Sequence, residues 1–523
     1  MEISDKVIRL FFVEYMDDCI YLEGIYDKNQ IESFYLSDGK NKQYNLLEDT
    51  AAPKERSPFK FKVMCLEDEI QINFCSDNEN HLPFSFGKFF PIQKRYKHAY
   101  YWKNGFCLFK GENGLRLKKS SKRLHFEVEL MKEMLFRGGK RGKKDFVIRI
   151  AGHCLGKFRG KKWVISDRPD RGGDNGEALF KYACAHKENR CYFAIKENSQ
   201  DYIRLKKIGR VIPFGGLRYK LLYLSGATMI SSQAEDVIFR PLKGNTAAVA
   251  DLMYHKNFVF LQHGITKDDL SGWLNRYNKN IGMFVCATRL EYDSILNGAY
   301  GYSPENVRLT GFPRHDLLKN SPQRMITVMF TWRYDLVELP DKKTGLRYLK
   351  EGFETSDYYQ MMAVLLTDTR LKQFLEEYKY KMRFVLHPCM EQAMPYFEKL
   401  RGGYEVITKA DYQEIFKTSD LIITDYSSVA FDFALLRKPI IYCQPDKEMF
   451  FKNHMYGQGY YDYQRDGFGE VTYTVGDCLN VLYQSVKNGC RLDEKYRQRI
   501  DRTFPYGNEG NSQRVCDAIH SIF

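Results

Sequence analysis

The feature that most constrains this chain is a regular alternation of short β-type runs with helix-length segments after residue 162. The runs lie at 163–165, 191–195, 228–230, 258–261 and 283–285, and again at 326–330, 384–386, 404–407, 421–423 and 440–442. Such alternation is typical of parallel sheets with crossover helices. Because the pattern occurs twice in series, the sequence predicts two doubly wound α/β lobes.

The first 124 residues have a different pattern. Phe59, Phe61 and Val63 alternate with lysines, which is typical of a half-buried strand. Asn104-Gly105 lies between two apolar runs and predicts a two-residue hairpin turn. Helical spacing follows at 126–136, and after it a basic stretch that we interpret as a linker. A chain of 523 residues exceeds the roughly 250–300 residues that one core supports.

We therefore predict three domains. They are an antiparallel, β-rich N-terminal domain at 1–124, a Rossmann-like acceptor lobe at 125–314 and a Rossmann-like donor lobe at 315–523.

The net charge of +14 indicates an anionic partner, which could be nucleic acid, lipid headgroups or a phosphorylated substrate. The densest basic run, 137–162, is either a solvated surface or a patch that rests on anionic lipid, where each charge contributes about 1 kcal/mol. No apolar run is long enough to span a bilayer, the N-terminus carries no basic-then-apolar leader, and the 13 cysteines form no C-x-x-C pair. We expect a protein of a reducing compartment.

Ligands of doubly wound sheets bind beyond the carboxyl ends of the strands, and Gln262-His263-Gly264 follows the run 258–261. The glycine allows a tight turn that presents the imidazole, which can accept a proton near neutral pH. His263 is therefore the candidate general base, and a histidine satisfied within the turn is the alternative. Three basic residues that could form an anion pocket follow it: Lys267, Arg276 and Lys279.

A second candidate site is the hydroxyl-rich turn that begins at Thr424 and ends at Ser427-Ser428, between the run 421–423 and a helical stretch. Hydroxyl side chains there can cap the helix while its free amides bind phosphate; plain capping is the alternative. Asp425 and Asp432 near a phosphate are costly unless they bind donor hydroxyls, a cation or an arginine.

His387 and Arg333 also follow β-type runs, and both could meet a diphosphate, since arginine offers a bidentate fork. A capped turn and a surface ion pair are the alternatives. Asp174-Asn175-Gly176 predicts a turn before a helix. The chain has no P-loop, no G-x-G-x-x-G and no zinc-type spacing, which argues against nucleotide hydrolysis by a P-loop and against dinucleotide redox chemistry. We expect no metal and no cofactor.

Taken in order, these motifs resemble the CDP-glycerol glycerophosphotransferase family, which primes and polymerises teichoic acids and related capsule polymers. The matching segments are 163–167 with 174–182, 262–264, 310–316, 331–333, 386–388, 424–432 and 438–441. The resemblance implies a GT-B fold, a CDP-alditol donor and a position at the cytoplasmic face of the membrane. In the family, the histidine that matches His263 is the catalytic base, and the one that matches His387 lies at the donor diphosphate. One departure is Gln262, where the family often has tryptophan.

The predicted reaction is attack by an acceptor hydroxyl, deprotonated by His263, on the β-phosphorus of CDP-glycerol or CDP-ribitol, with release of CMP. The predicted acceptor is a lipid-linked polyol-phosphate or glycan, and the predicted partners include an anionic membrane surface but no nucleic acid. Two alternatives remain open: a GT-B glycosyltransferase that uses a nucleotide sugar, and a non-catalytic scaffold that binds polymer or membrane.

The predicted site residues form three groups. They are His263 and His387 as catalytic residues; Arg333, Thr424, Asp425, Ser427, Ser428 and Asp432 as donor-binding residues; and Lys267, Asp174, Asn175 and Arg314 as weaker acceptor or phosphate contacts.

Overall fold

The structure is a computed structural model. It describes residues 8–523 except 17–18, 32, 38–42, 45–56, 65–67, 77–80, 113, 121, 157–161, 189, 255–257, 340, 342–346, 401–403, 409 and 454–456. The described residues contain two largely antiparallel sheets followed by two parallel sheets, so the predicted α/β fold with parallel sheets is confirmed. Part of the predicted basic run, 157–161, lies outside the described residues.

The front of the chain forms two sheets. Their strands are β1 (Ile8–Met16), β2 (Cys19–Tyr26), β3 (Tyr35–Ser37), β4 (Gln43–Tyr44), β5 (Ser57–Met64), β6 (Glu69–Cys75), β7 (Phe84–Phe86), β8 (Tyr100–Lys103), β9 (Phe106–Lys110) and β10 (Gly114–Lys119). The strand orders are β5-β2-β1-β7 and β4-β3-β6-β10-β9-β8, and among these strands only β1 and β7 pair in parallel. Asn104 and Gly105, with φ angles of 51° and 83°, form the predicted hairpin turn between β8 and β9.

A helical hairpin connects the front sheets to the first parallel sheet. It consists of α1 (Arg123–Lys132), a π-helical turn (Glu133–Arg137) and α2 (Gly139–Gly156), and Arg149 of α2 donates to Glu127 of α1 at 2.5 Å. The predicted helix at 126–136 is confirmed, but the predicted basic linker is wrong, because most of it is α2. The buried positions of α2 include Gly142, Asp145 and Arg149, so its inner face lacks the apolar spacing that signals a helix.

The first parallel sheet has the order β13-β12-β11-β14-β15-β16-β17. Its strands are β11 (Lys162–Ser166), β12 (Arg190–Ile195), β13 (Val211–Pro213), β14 (Thr228–Ser231), β15 (Phe258–Phe260), β16 (Met283–Cys286) and β17 (Val307–Leu309). The accompanying helices are α3 (Asn175–Ala185), α4 (Asp201–Lys206), α5 (Leu217–Leu224), α6 (Asp236–Phe239), α7 (Ser271–Leu274), α8 (Arg276–Lys279) and α9 (Arg289–Asn297), with 3-10 turns at Lys243–Ala248 and Pro313–Leu317.

The second parallel sheet has the order β20-β19-β18-β21-β22-β23. Its strands are β18 (Met325–Met329), β19 (Lys381–Val385), β20 (Glu405–Ile407), β21 (Leu421–Thr424), β22 (Ile440–Cys443) and β23 (Gly469–Thr472). The helices are α10 (Asp357–Thr367), α11 (Thr369–Glu377), α12 (Met394–Glu398), α13 (Tyr412–Thr418), α14 (Val429–Ala434), α15 (Lys447–Asn453), α16 (Tyr463–Asp466), α17 (Val475–Lys487), α18 (Glu494–Thr503) and α19 (Asn511–Ile522), with 3-10 turns at Tyr334–Leu336, Phe353–Thr355 and Pro388–Ala393.

The sequence predicts ten of the parallel strands and misses β13, β17 and β23. All three are edge strands of three or four residues. β13 has only three residues, and β17 and β23 contain charged residues, so none of them is an apolar run of the four to eight residues that indicate a buried strand. The missed strands therefore extend the predicted sheets without altering their central order.

The last helix, α19, returns to the first half of the molecule. It packs against α3 and β16, and the Asp316 carboxylate accepts hydrogen bonds from the backbone N–H groups of Asn511 and Ser512 at 2.8 and 2.7 Å. In the described part of the chain, no helix is both long and apolar enough to cross a membrane.

Candidate functional site

His263 lies in the loop that follows β15. The residue before it, Gln262, has a φ of 62°, a conformation that side chains other than glycine adopt rarely, so the loop holds a strained turn next to the histidine. The imidazole is solvent-exposed, and its loop lies where the two halves of the molecule meet, a region that we call the crevice. Neighbouring protein still removes part of its water. This partial desolvation lowers the pKa of His263, and the charge of Asp174 only partly opposes it. A neutral imidazole at neutral pH is able to accept a proton.

A buried carboxylate holds the His263 loop from behind. The Glu291 side chain accepts hydrogen bonds from Gln262 Nε2 at 3.0 Å and from the Thr266 and Ala287 backbone N–H groups at 2.6 and 2.8 Å. Burial raises the pKa of Glu291 to about 7, although these N–H donors act in the opposite direction. Glu291 lies three residues after Thr288, the N-cap of α9, in the capping-box spacing.

Residues 174–176 lie at the N-terminus of α3, beside the His263 loop. A helix follows as predicted, but it begins within the predicted turn: Asp174 is its N-cap, and Asn175 and Gly176 are its first residues. The buried Asp167 accepts the backbone N–H groups of Asp174, Gly176 and Glu177 at 2.8–3.1 Å. A Cβ on Gly176 would lie 2.5 Å from Asp167 Oδ1, so this position requires glycine.

Asn175 connects that turn to the His263 loop. It is buried, and its amide donates to the Leu261 and Gln262 carbonyl oxygens at 3.2 and 2.7 Å. Asn175 therefore supports the loop that carries the histidine, and its amide nitrogen is engaged by that loop.

Arg314 bridges the two halves of the molecule. Its guanidinium donates to Asp174 at 2.7 Å and to the His263 carbonyl oxygen at 2.9 Å on one side, and to Asp432 at 2.8 Å on the other. His315 Nε2 lies 2.6 Å from the same Asp432. Burial alone would raise the pKa of Asp432, but Arg314 and His315 outweigh it and the pKa is lowered. Asp432 therefore binds an arginine, one of the three partners that the sequence left open.

On the second half, Arg333 forms a buried cluster with two carboxylates. Its guanidinium donates to Asp425 and Asp446, both at 2.8 Å, and the Asp425 carboxylate also accepts the Thr331 N–H at 2.8 Å. The rings of Tyr358, Tyr426 and Phe450 lie within 4.8–5.5 Å of the guanidinium carbon. The charge that was predicted to bind a diphosphate directly is thus neutralised by carboxylates, and both Arg333 and Asp425 are buried.

The hydroxyl-rich turn lies between that cluster and α14. Thr424 is buried, the Ser427 hydroxyl accepts the Val429 N–H at 3.4 Å, and Ser428 precedes α14 without a side-chain capping bond. A Cβ built on Gly264 would lie 2.9 Å from Ser428 Oγ. The His263 loop of the first half and the serine turn of the second half therefore meet across the crevice, and Gly264 permits that approach.

His387 lies directly after the predicted run 384–386, at the start of the 3-10 turn Pro388–Ala393 of the second half. Its Nδ1 accepts the Cys389 N–H at 3.1 Å, so a neutral ring carries its proton on Nε2. The ring stacks near Trp332, with centroids 6.1 Å apart. Burial raises the pKa of Cys389, and the charge of Arg168 on the first half partly offsets this. The Arg168 charge also lowers the pKa of His263. The Arg168 carbonyl oxygen accepts the Arg171 N–H at 3.3 Å, and the Arg171 guanidinium donates to the Ala410 carbonyl oxygen at 3.0 Å, so the loop after β11 contacts the second half.

The three basic residues after His263 do not form the predicted anion pocket. Lys267 is buried and its ammonium group is 2.6 Å from Asp268. Arg276 pairs with Glu23 of the front sheets at 2.9 Å, and Lys279 donates to the Ala234 carbonyl oxygen at 2.7 Å. Arg276 and Lys279 thus link distant segments, whereas Lys267 pairs with its neighbour in the chain.

Sequence reasoning missed several residues of this site. They are Arg168, Glu291, His315 and Asp446. Arg168 lies two residues after Ser166, the end of β11, and Thr288 with Glu291 shows capping-box spacing, so both Arg168 and Glu291 could have been found by the same rules. The pairing of His315 and Asp446 depends on contacts between distant segments, for which the sequence carries no local signal.

The structure defines an α/β protein with two parallel sheets. Its candidate ligand site lies where the His263 loop of the first half meets the hydroxyl-rich turn of the second. The model of the CDP-Glycerol:Poly(glycerophosphate) glycerophosphotransferase family matches residues 157–521. The chain belongs to this family.

Two curated relatives and one solved structure are similar to the chain. The "Minor teichoic acid biosynthesis protein GgaB" of Bacillus subtilis is 33% identical over 99% of this chain and 60% of its own length. The "Teichoic acid poly(ribitol-phosphate) polymerase" of Bacillus spizizenii is 26% identical over 54% of this chain and 45% of its own length. The chain thus spans less than two thirds of either relative. The structure of the wall teichoic acid polymerase TagF superposes with a TM-score of 0.52 at 18% identity, over 76% of this chain and 96% of that chain, and so shares the fold.

Proposed function

We propose that this protein transfers glycerol phosphate or ribitol phosphate from a CDP-alditol to a hydroxyl of a lipid-linked teichoic acid or capsule-type acceptor, with release of CMP. The observation that carries the proposal is the approach of Gly264 to Ser428, because it joins a candidate base to a candidate phosphate-binding turn. We further propose a GT-B pair of lobes, at 125–314 and 315–523, behind a β domain at 1–124.

In the proposed step, neutral His263 takes the proton of the acceptor hydroxyl. The hydroxyl oxygen forms a bond to the β-phosphorus, and the bond from that phosphorus to the bridging oxygen breaks, so that CMP leaves with the electron pair. His387 donates through Nε2 to the diphosphate, and Ser427 and Ser428 bind it from the turn. Donors placed where charge develops supply the largest share of catalysis in many enzymes.

The remaining predicted residues act by holding these groups in place. The Arg333–Asp425 pair and Thr424 fix the base of the serine turn, while Asp432, through Arg314, fixes the turn relative to the His263 carbonyl oxygen. Asp174 and Asn175 form the acceptor wall beside His263. Lys267 does not contact the substrate directly. Its ion pair with Asp268 holds the segment that follows the His263 loop.

The donor test uses purified protein, a lipid-linked acceptor, and CDP-glycerol, CDP-ribitol or a panel of UDP-sugars. We expect CMP release from one or both CDP-alditols, and a rise in melting temperature with the same donor, because a ligand that binds only the native state stabilises it. Release of UDP or UMP without CMP would establish the glycosyltransferase alternative. Binding without turnover of any donor would establish the scaffold alternative.

We also propose that the protein rests on an anionic membrane through the outer face of the α1–α2 hairpin. That face carries the exposed apolar residues Leu124, Val128, Phe136, Val147 and Ile150 together with Lys122, Lys132, Arg137, Lys140, Lys143 and Lys144. None of the exposed residues from 122 to 156 is acidic. Apolar side chains flanked by lysines match the interface of an anionic bilayer.

The membrane test measures sedimentation with phosphatidylglycerol vesicles and with phosphatidylcholine vesicles. We expect binding to the anionic vesicles only, and loss of most of it in the double variant Phe136→Asp, Val147→Asp. The matched control is Val364→Asp, an exposed valine on α10. Equal binding of the double variant and the control would remove the hairpin from membrane contact.

A further inference from the structure

The cations that the sequence assigns to phosphate binding are all paired with carboxylates. Arg333 is held between Asp425 and Asp446, and Arg314 between Asp174 and Asp432. A guanidinium held by two carboxylates carries little net positive field toward a ligand. A diphosphate in this crevice therefore needs another cation.

Arg168 is placed to be that cation. It follows β11, the strand between β12 and β14, and the preceding residue, Asp167, is fixed by three backbone N–H donors. The Arg168 side chain is exposed, and none of the ion pairs found among the described residues includes it. The backbone is therefore anchored, while the guanidinium remains available.

The segment that carries Arg168 contacts both halves of the molecule. On the first half, Asp167 accepts the Asp174 N–H, and Asp174 binds Arg314, which also donates to the His263 carbonyl oxygen. Toward the second half, the Arg168 carbonyl oxygen accepts the Arg171 N–H at 3.3 Å, and the Arg171 guanidinium donates to the Ala410 carbonyl oxygen at 3.0 Å. The positive charge of Arg168 also lowers the pKa of His263, in agreement with this placement.

We propose that the Arg168 guanidinium binds the oxygens of the phosphoryl group under transfer. This inference rests on the proposed function. In the step, the acceptor oxygen bonds to the β-phosphorus, CMP leaves with the electron pair, and His263 takes the proton. Arg168 stays protonated throughout and forms no covalent bond. Its planar fork matches two phosphoryl oxygens and stabilises the charge that accumulates on them in the transition state.

The test compares Arg168→Ala and Arg168→Lys with Arg190→Ala, an exposed arginine at the amino end of the neighbouring strand β12. We measure kcat and KM on the pH plateau, and dissociation constants for CDP-glycerol and CMP. For Arg168→Ala we expect kcat to fall by roughly 10²–10³-fold, the size expected for one lost transition-state donor. CDP-glycerol binding should weaken, while CMP binding stays unchanged because CMP lacks the transferred group. Arg168→Lys should recover part of the loss.

The pH–rate profile is a second measurement, and it tests whether the Arg168 charge lies near His263. Arg168→Ala removes a positive charge that lowers the pKa of His263, so the acid limb of the pH–rate profile should move to higher pH. The melting temperature should not change, because the side chain is exposed.

The outcomes separate the two proposals. Wild-type activity together with a kcat for Arg168→Ala equal to that of Arg190→Ala overturns this inference and leaves the proposed function intact. Equal weakening of CMP and CDP-glycerol binding also overturns it, because contact would then be with the nucleotide. A wild-type protein that releases no CMP from either CDP-alditol overturns the proposed function, and this inference with it.

Discussion

The charged and titratable groups at the strand ends of the two parallel sheets differ in solvent exposure. At the first sheet, His263 and Arg168 are exposed to the crevice, and the carboxylates Asp167 and Glu291 bind the backbone behind them. At the second sheet, Arg333 and Asp425 are buried against each other. The first edge keeps reactive groups available, whereas the second uses charge to fix a turn. We expect substitutions of the exposed charged groups at the first edge to change catalysis, and substitutions of the buried Arg333–Asp425 pair at the second edge to change stability.

The largest effect should come from His263→Ala. Loss of a general base lowers turnover by roughly 10²–10⁴-fold, and because the imidazole is exposed, the melting temperature should stay near that of the wild type. The assay is CMP release at saturating donor, with His125→Ala on the exposed face of α1 as the control. Unchanged turnover in a folded variant would remove His263 from the mechanism.

The next largest effect should come from Arg333→Ala, and it should appear in stability. The substitution leaves Asp425 buried without its counter-charge, which lowers the free energy of unfolding by about 3–5 kcal/mol. Urea unfolding measures this loss. The matched control is Arg370→Ala, whose side chain is 80% exposed in its pair with Asp368; a surface pair contributes about 0–1 kcal/mol. Equal losses in the two variants would contradict the contrast between the sheets.

Glu291→Gln tests whether the buried Glu291 carboxylate is needed to position the His263 loop. The Glu291 carboxylate accepts hydrogen bonds from three N–H donors. In the glutamine variant, the side-chain NH₂ group faces at least one of these donors and cannot accept from it. The lost hydrogen bond costs about 1–3 kcal/mol. We expect kcat to fall while KM for the donor stays constant, because the histidine is displaced and the donor turn is not. Glu305→Gln, at an exposed position, is the control. If Glu291→Gln changes KM for the donor and leaves kcat at the wild-type value, Glu291 does not position the base.

The smallest expected effect is the pH dependence of the wild-type rate. Since the folded-state pKa of His263 is lowered from 6.5, the neutral, active form persists below pH 6.5. The rate at limiting donor concentration should therefore be flat near neutrality and fall only as the pH drops through the lowered pKa, by about tenfold per unit. A half-maximal rate above pH 6.5 in a profile that His263→Ala abolishes would contradict the lowered pKa.

The sequence predicted the central strands and the location of the site because these depend on local pattern. Buried strands such as β21 and β22 are rich in apolar residues, and His387 directly follows such a run while His263 lies two residues after one. The strands β13, β17 and β23 were missed because they are short or contain charged residues. The ion pairs were not predictable, since Arg333 and Asp425 are 92 positions apart and Arg314 and Asp432 are 118 apart. Strand ends tell which residues share an edge, but not which carboxylate neutralises which cation.

The path of the final helix limits how the crevice can open. The chain enters the second half just after Asp316 and returns at Asn511, and these two crossings are tied together by hydrogen bonds of 2.8 and 2.9 Å. Any movement of the second half that keeps these hydrogen bonds intact therefore has its pivot near the Asp316–Asn511 contact.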